Sequence, residues 1–207
     1  MGTGEPTAGD RYHHGNLRAA LLDSALEVLS ESGVAGFSMR EAARRAGVSQ
    51  SAPKHHFGDA RGLLGALATR AYQELCERLE AVPLTGDSTR ERVTALSAEY
   101  VAFAAENRAL FDLMWRVSQF DVDDPELMAH KRRALRALDR GLRGADAQLP
   151  DDDDPALLPS YTVWSLAHGY ATLALEGAIG YDGADPATSG LLPAMLRLLD
   201  VWPNGDG

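Results

Sequence analysis

Ser49, Gln50, Ser51, Lys54 and His55 crowd into seven residues around Pro53, where a buried helix would carry apolar groups. Their amide, hydroxyl and ammonium groups suit recognition rather than bond making. Glutamine matches an adenine edge, serine serves any base or a phosphate, and lysine suits a phosphate or guanine. Ala52 completes the same side. Upstream, Ser38-Met39-Arg40-Glu41 has the spacing of a capping box, in which serine and glutamate satisfy each other's free backbone donors. Ser38 and Arg40 are counted with the same surface. Ala46-Gly47-Val48 then supplies a tight turn. Two short helices so joined have the sequence form of a helix-turn-helix, whose second helix enters the DNA major groove. The competing reading is a solvated surface helix.

The elements that would hold these residues are all helical. Asn16 is expected to cap a first helix running to about Ser32, with Leu17, Leu21, Ala25, Val28 and Leu29 at helical spacing and Gly33 as its stop. Phe37 is expected to plug the core beneath. Ala42, Ala43 and Ala46 give the second helix a thin packing face, and Ser49 is expected to cap the third, which ends near Phe57-Gly58. Pro53 is tolerable only because it falls in the first turn. Asp59 caps a fourth helix to about Ala81, with Leu63, Leu64, Leu67, Ala71, Leu75 and Leu79 inward. Helical periodicity returns at about 88–105, 107–118, 125–147, 157–180 and 187–202, and no strand alternation or repeat appears. The expected class is all-α with about nine helices, divided as an unstructured arm over 1–10, a helix-turn-helix unit over 11–60 and a helical body over 61–207.

The net charge of −10 sits unevenly. Residues 1–58 hold six basic and six acidic residues, while 59–207 carry 14 basic against 24 acidic. A neutral head on an acidic body is compatible with phosphate contact, since short-range contacts dominate under salt screening. No apolar run approaches the roughly 18 to 20 residues needed to cross a bilayer. The first ten residues lack the features of a secretory signal. With one cysteine, Cys76, there is no internal disulfide framework, and a cytoplasmic location without membrane partners is expected.

Other chemistry is thin. Neither a Gly-x-Ser-x-Gly, a His-Glu-x-x-His, a P-loop nor a dinucleotide fingerprint is present, so no enzyme and no cofactor are expected. His55 and His56, being adjacent, point about 100° apart on a helix and cannot chelate one metal ion. The four aspartates 151–154 read as a solvated loop. Glu74 and Glu77 disfavour a thiolate at Cys76. Arg11, Tyr12, His13 and His14 leave two readings open, an arm along a phosphate backbone or a tail.

This order of parts resembles the TetR family of transcriptional regulators. The residues that carry the resemblance are Phe37-Ser38-Met39-Arg40-Glu41-Ala42-Ala43, Ala46-Gly47-Val48-Ser49, His56-Phe57 and Gly62-Leu63-Leu64. Tyr12-His13-His14-Gly15-Asn16-Leu17, together with Trp164-Ser165-Leu166-Ala167-His168-Gly169, looks like the subgroup with a C-terminal Trp-His-Gly signature. Two positions depart from the pattern. Lys54 stands where the family has a phosphate-touching tyrosine, and a lysine makes that contact as a point charge. Ala60-Arg61 stands for the usual Lys-Glu, which leaves Arg61 to take over a phosphate contact.

The resemblance implies a helical body around an effector pocket, for which Tyr100, Phe103, Phe111, Trp115, Trp164 and His168 are the candidates, with ordinary core packing as the alternative. It also implies a four-helix dimer interface. Ala167, Ala171, Ala174 and Ala178 form a small-residue stripe suited to close helix packing, with Leu191, Met195, Leu198 and Trp202 on the last helix. The implied function is a homodimer on a near-palindromic double-stranded operator, its third helices roughly 34–36 Å apart or somewhat more. A small apolar effector would release it, with repression as the family default. Two rivals are a helical ligand-binding or adaptor protein that has lost DNA binding, and an enzyme with a buried helical pocket.

Overall fold

The computed structural model describes residues 8–85, 88–146, 148, 150–151, 154–179 and 185–199, with side chains from Leu17 onward. These form nine α-helices and two 3₁₀ turns, with no strand among the described residues. The order is α1 (Ala8–Ser32), α2 (Met39–Arg45), α3 (Ala52–Phe57), α4 (Ala60–Ala81), α5 (Thr89–Glu106), α6 (Arg108–Met114), α7 (Pro125–Arg143), α8 (Leu158–Leu175) and α9 (Leu191–Leu196). The 3₁₀ turns are Val117–Gln119 and Pro155–Leu157.

Two helix starts and one capping box differ from the sequence expectation, each for a local reason. α1 begins at Ala8, so Asn16 lies inside it and 8–10 are helical rather than part of an arm. No proline interrupts the stretch after Pro6, and once nucleated a helix gains a bond per residue added. Residues 1–7 and the side chains of Arg11, Tyr12, His13 and His14 lie outside the described residues. The Ser38 hydroxyl accepts from the Glu41 amide at 3.4 Å, which is half a capping box. The Glu41 carboxylate does not return to Ser38, because Arg44 and Arg45 hold it. A complete box forms instead at Ser88 and Glu91, opening α5. α3 begins at Ala52 after Ser51, not after Ser49, whose hydroxyl lies 3.1 Å from that of Ser51. Pro53, with its fixed φ and missing donor, sets that first turn.

Between α2 and α3 the chain reverses at Gly47, whose φ of 68° favours glycine. Asp59 caps α4 by accepting from the Gly62 amide at 2.9 Å. At Gly62 any Cβ would stand 1.9 Å from the Phe57 carbonyl oxygen, so the elbow between α3 and α4 requires glycine. The inward leucines of α4 are buried as spaced, and α7 lies along α4, α5 and α8. Asp139 of α7 is fully buried, held by Arg143 Nε at 3.0 Å and the Ser160 hydroxyl at 2.7 Å. Removing one partner of such a group costs about 3–5 kcal/mol. Asp139 thus fastens α8 to α7. No described helix is long and apolar enough to cross a membrane.

The alanine stripe of α8 does not face outward. Ala167 and Ala171 are buried where α8 packs along α5, Ala174 is half-buried, and Ala178 lies exposed beyond the helix end. Small side chains at this spacing let helices approach closely, and that closeness is used within the chain. Leu158, Tyr161, Ser165 and Leu173 form the outward face of α8 instead. In the last helix Leu191 and Met195 are half-buried against the core, and Leu198, just past it, is 86% exposed. Trp202 lies outside the described residues.

Candidate nucleic-acid interface and ligand cavity

Helices α2 and α3 and their turn place the polar residues on one accessible surface. Ser49, Gln50, Ser51, Lys54 and His55 are exposed, Ala52 is half-buried, and Pro53 is buried beneath them. The residues leading into α3 and its first turns therefore project outward, the part of a recognition helix that reaches base edges. At the start of α2 Ser38 is half-buried and occupied as a cap, while Arg40 is exposed. His56 and Phe57 are half-buried, with the Arg18 guanidinium 5.3 Å from the Phe57 ring centre.

Charge on this surface is partly compensated. Arg44 and Arg45 hold the Glu41 carboxyl at about 2, and Arg45 also bonds Glu31 at 2.5 Å, tying α2 to α1. Arg40 and Lys54 have no ion-pair partner among the described residues, so they are the cations this face offers a phosphate. Arg61 does something else. Its guanidinium donates to the Ser118 carbonyl and, at 3.0 Å, to the Phe120 carbonyl. The expected phosphate contact by Arg61 is thus replaced by a bond from the start of α4 to the loop after α6, which lies within its reach.

That loop follows Trp115, which lines a cavity of about 310 Å³ between α4, α5, α7 and α8. The size is at the small end for ligand sites. Tyr100, Trp115 and Trp164 line it, three of the six residues expected to. Phe103, Phe111 and His168 stand behind. Phe103 is fully buried with the Arg78 guanidinium 5.8 Å from its ring centre, and Phe111 packs edge-on against Tyr100 and Trp115. His168 Nδ1 lies 3.0 Å from the Tyr100 hydroxyl, and its ring centre is 4.4 Å from that of Trp115. Burial lowers the His168 pKa and raises that of Tyr100. Burial thus favours the neutral imidazole, which shares a hydrogen bond with the Tyr100 hydroxyl.

Sequence reasoning missed Tyr72 and Ser97, and with them Met128, Lys131, Leu135 and Leu138 of α7. The signal was present in α7, whose apolar residues recur at i, i+7 and i+10 between basic ones. Two buried polar atoms on the lining, Ser97 Oγ and Trp115 Nε1, have no partner among the described residues. Such a group costs about 1–3 kcal/mol. The only charged side chains lining the cavity among the described residues are Lys131 and Arg132. Elsewhere, Cys76 is buried with its thiol 3.1 Å from the Gln73 carbonyl and 3.6 Å from His130 Nδ1, and burial pushes its pKa up.

Comparison with known proteins fits both halves. Residues 21–67 match the family model described as bacterial regulatory proteins, tetR family. Residues 93–198 match that of the tetracyclin repressor-like C-terminal domain. The Trp-His-Gly subgroup rests on the residue pattern alone. The chain is 33% identical to the HTH-type transcriptional regulator BetI of Rhizobium meliloti over 139 residues, 66% of this chain and 68% of that one. BetI of Burkholderia mallei is matched over 44% of its length. A solved protein of unknown function from Rhodococcus sp. RHA1 has 32% identity and a TM-score of 0.73, over 95% of this chain and 98% of that one. The FadR regulator of Bacillus subtilis, solved with stearoyl-CoA, shares the fold at a TM-score of 0.62 and 16% identity, over 89% and 97% of the two chains.

Proposed function

Because the chain belongs to the TetR family of bacterial regulatory proteins, and so is a DNA-binding transcriptional regulator rather than an enzyme, we propose that it is a cytoplasmic, effector-released repressor working as a homodimer. Residues up to about 60 read DNA, and 61–207 bind ligand and dimerise. The observation that carries this reading is the exposed polar surface of α3 and the turn leading into it, held on a buried Pro53 and an elbow at Gly62. Gln50 reads a base edge, the serines serve base or phosphate, and Lys54 and Arg40 take phosphates.

The dimer forms through the outward side of α8. Leu158, Tyr161 and Leu173 there, and Leu198 beyond α9, are exposed apolar side chains, and a symmetric contact would bury them. A small, mostly apolar effector fills the cavity. Its occupancy reaches α3 through Trp115, the 3₁₀ turn that follows it, and the Arg61 bond to Ser118 and Phe120 at the root of α4. An effector weakens DNA binding only by preferring one of two head arrangements.

A mobility-shift assay with the purified protein and its own upstream intergenic DNA tests this reading. At low salt a retarded dimer complex is expected, competed poorly by unrelated DNA. No complex, or a complex unaffected by Lys54→Ala and Gln50→Ala, leaves a helical binding protein without a DNA-reading role.

A further inference from the structure

The cavity also constrains what fills it. We propose that the effector is an apolar carboxylic acid bearing a second hydrogen-bond acceptor at its far end. This rests on reading the cavity as the effector site. The acid lies toward Lys131, which is half-buried beside the exposed Arg132. The far acceptor meets Trp115 Nε1 and Ser97 Oγ, two buried hydrogen-bond groups without partners among the described residues. Ser97 is only 2% exposed. Indole N–H can only donate, so it selects an acceptor.

The sign of charge decides between two aromatic-cavity chemistries. Tyr72, Tyr100, Trp115, Tyr161 and Trp164 offer ring faces that attract a cation. Yet Lys131 Nζ already lies 5.8 Å from the Tyr72 ring centre. No aspartate or glutamate lines the cavity among the described residues. A cationic ligand would meet the like charge of Lys131 with no carboxylate in the described lining to attract it. An anion is stabilised, and it keeps its charge near the exposed side, where desolvation costs least.

Calorimetry on the full chain with four probes tests this: 4-phenylbutanoate, 4-(4-hydroxyphenyl)butanoate, methyl 4-phenylbutanoate and trimethyl(3-phenylpropyl)ammonium. The two carboxylates should bind at least tenfold tighter than the ester and the ammonium, and Lys131→Gln should erase that margin while leaving ester binding unchanged. The ring hydroxyl should add several-fold affinity, lost in Ser97→Ala and Trp115→Phe. Ligand-free Ser97→Ala should melt no lower than the native chain, since it removes an unpaired buried hydroxyl. Equal or tighter binding of the ester or ammonium, a margin that survives Lys131→Gln, or no binding by any probe overturns the proposal. Operator binding measured in parallel separates the two readings. Probe affinities as expected without any DNA complex would sink the regulator and keep the acid site, and the reverse pattern would do the opposite.

Discussion

Lys54 and Gln50 lie four residues apart but offer DNA different chemistry, one a point charge and the other a paired donor and acceptor. Their variants should therefore fail differently. Lys54→Ala should weaken binding to all DNA alike and lower the salt dependence, by roughly 0.9 in log–log slope for each phosphate no longer neutralised. The exposure of these residues was legible because a proline and a turn marked where the surface lay. The partners of Glu41 were not legible, since a capping box and an ion pair with Arg44 compete for one carboxylate and only geometry ranks them. His168 was equally ambiguous between pocket wall and support. It supports Tyr100 through a hydrogen bond, and burial holds its pKa below the usual 6.5. The unfolded chain then protonates first as pH falls, so this stability is complete above about pH 6.5 and drains away below it. Thermal midpoints from pH 7.5 to 5.5 should fall less steeply for His168→Asn, which keeps an acceptor without the titration. An identical slope would contradict the assignment.

At the scale of elements, α2 followed its Ser38 cap and the turn after it, and α4 its leucine spacing, whereas α3 starts two residues later than Ser49 signalled because Pro53 sets its first turn. The alanine stripe of α8 misled, because period alone states that helices pack closely and not which helix is the neighbour. The link from α6 to α4 could not be read at all, as Arg61 and Ser118 are 57 residues apart. It carries a clear expectation. Arg61→Ala should leave cavity binding of 4-phenylbutanoate unchanged and cut ligand-driven release of operator DNA several-fold. Unchanged release, measured by fluorescence anisotropy, would remove Arg61 from the coupling path.

For the whole molecule, the net charge of −10 belongs to the acidic body, so non-specific DNA affinity should be modest and strongly salt-dependent. Dimerisation through α8 predicts that Leu173→Arg, on an exposed position, yields a folded monomer by light scattering. Ala171→Arg, on a buried one, should instead prevent folding. A Leu173→Arg dimer would move the interface elsewhere. The central claim, that α3 and the turn leading into it read a specific sequence, is tested most directly by anisotropy titrations of native and Gln50→Ala protein on the footprinted upstream site and on a scrambled duplex. The account predicts that the native chain prefers its site by roughly 10³-fold or more, and that Gln50→Ala costs about 1–3 kcal/mol of that preference. Equal affinity of the native chain for both duplexes would contradict it.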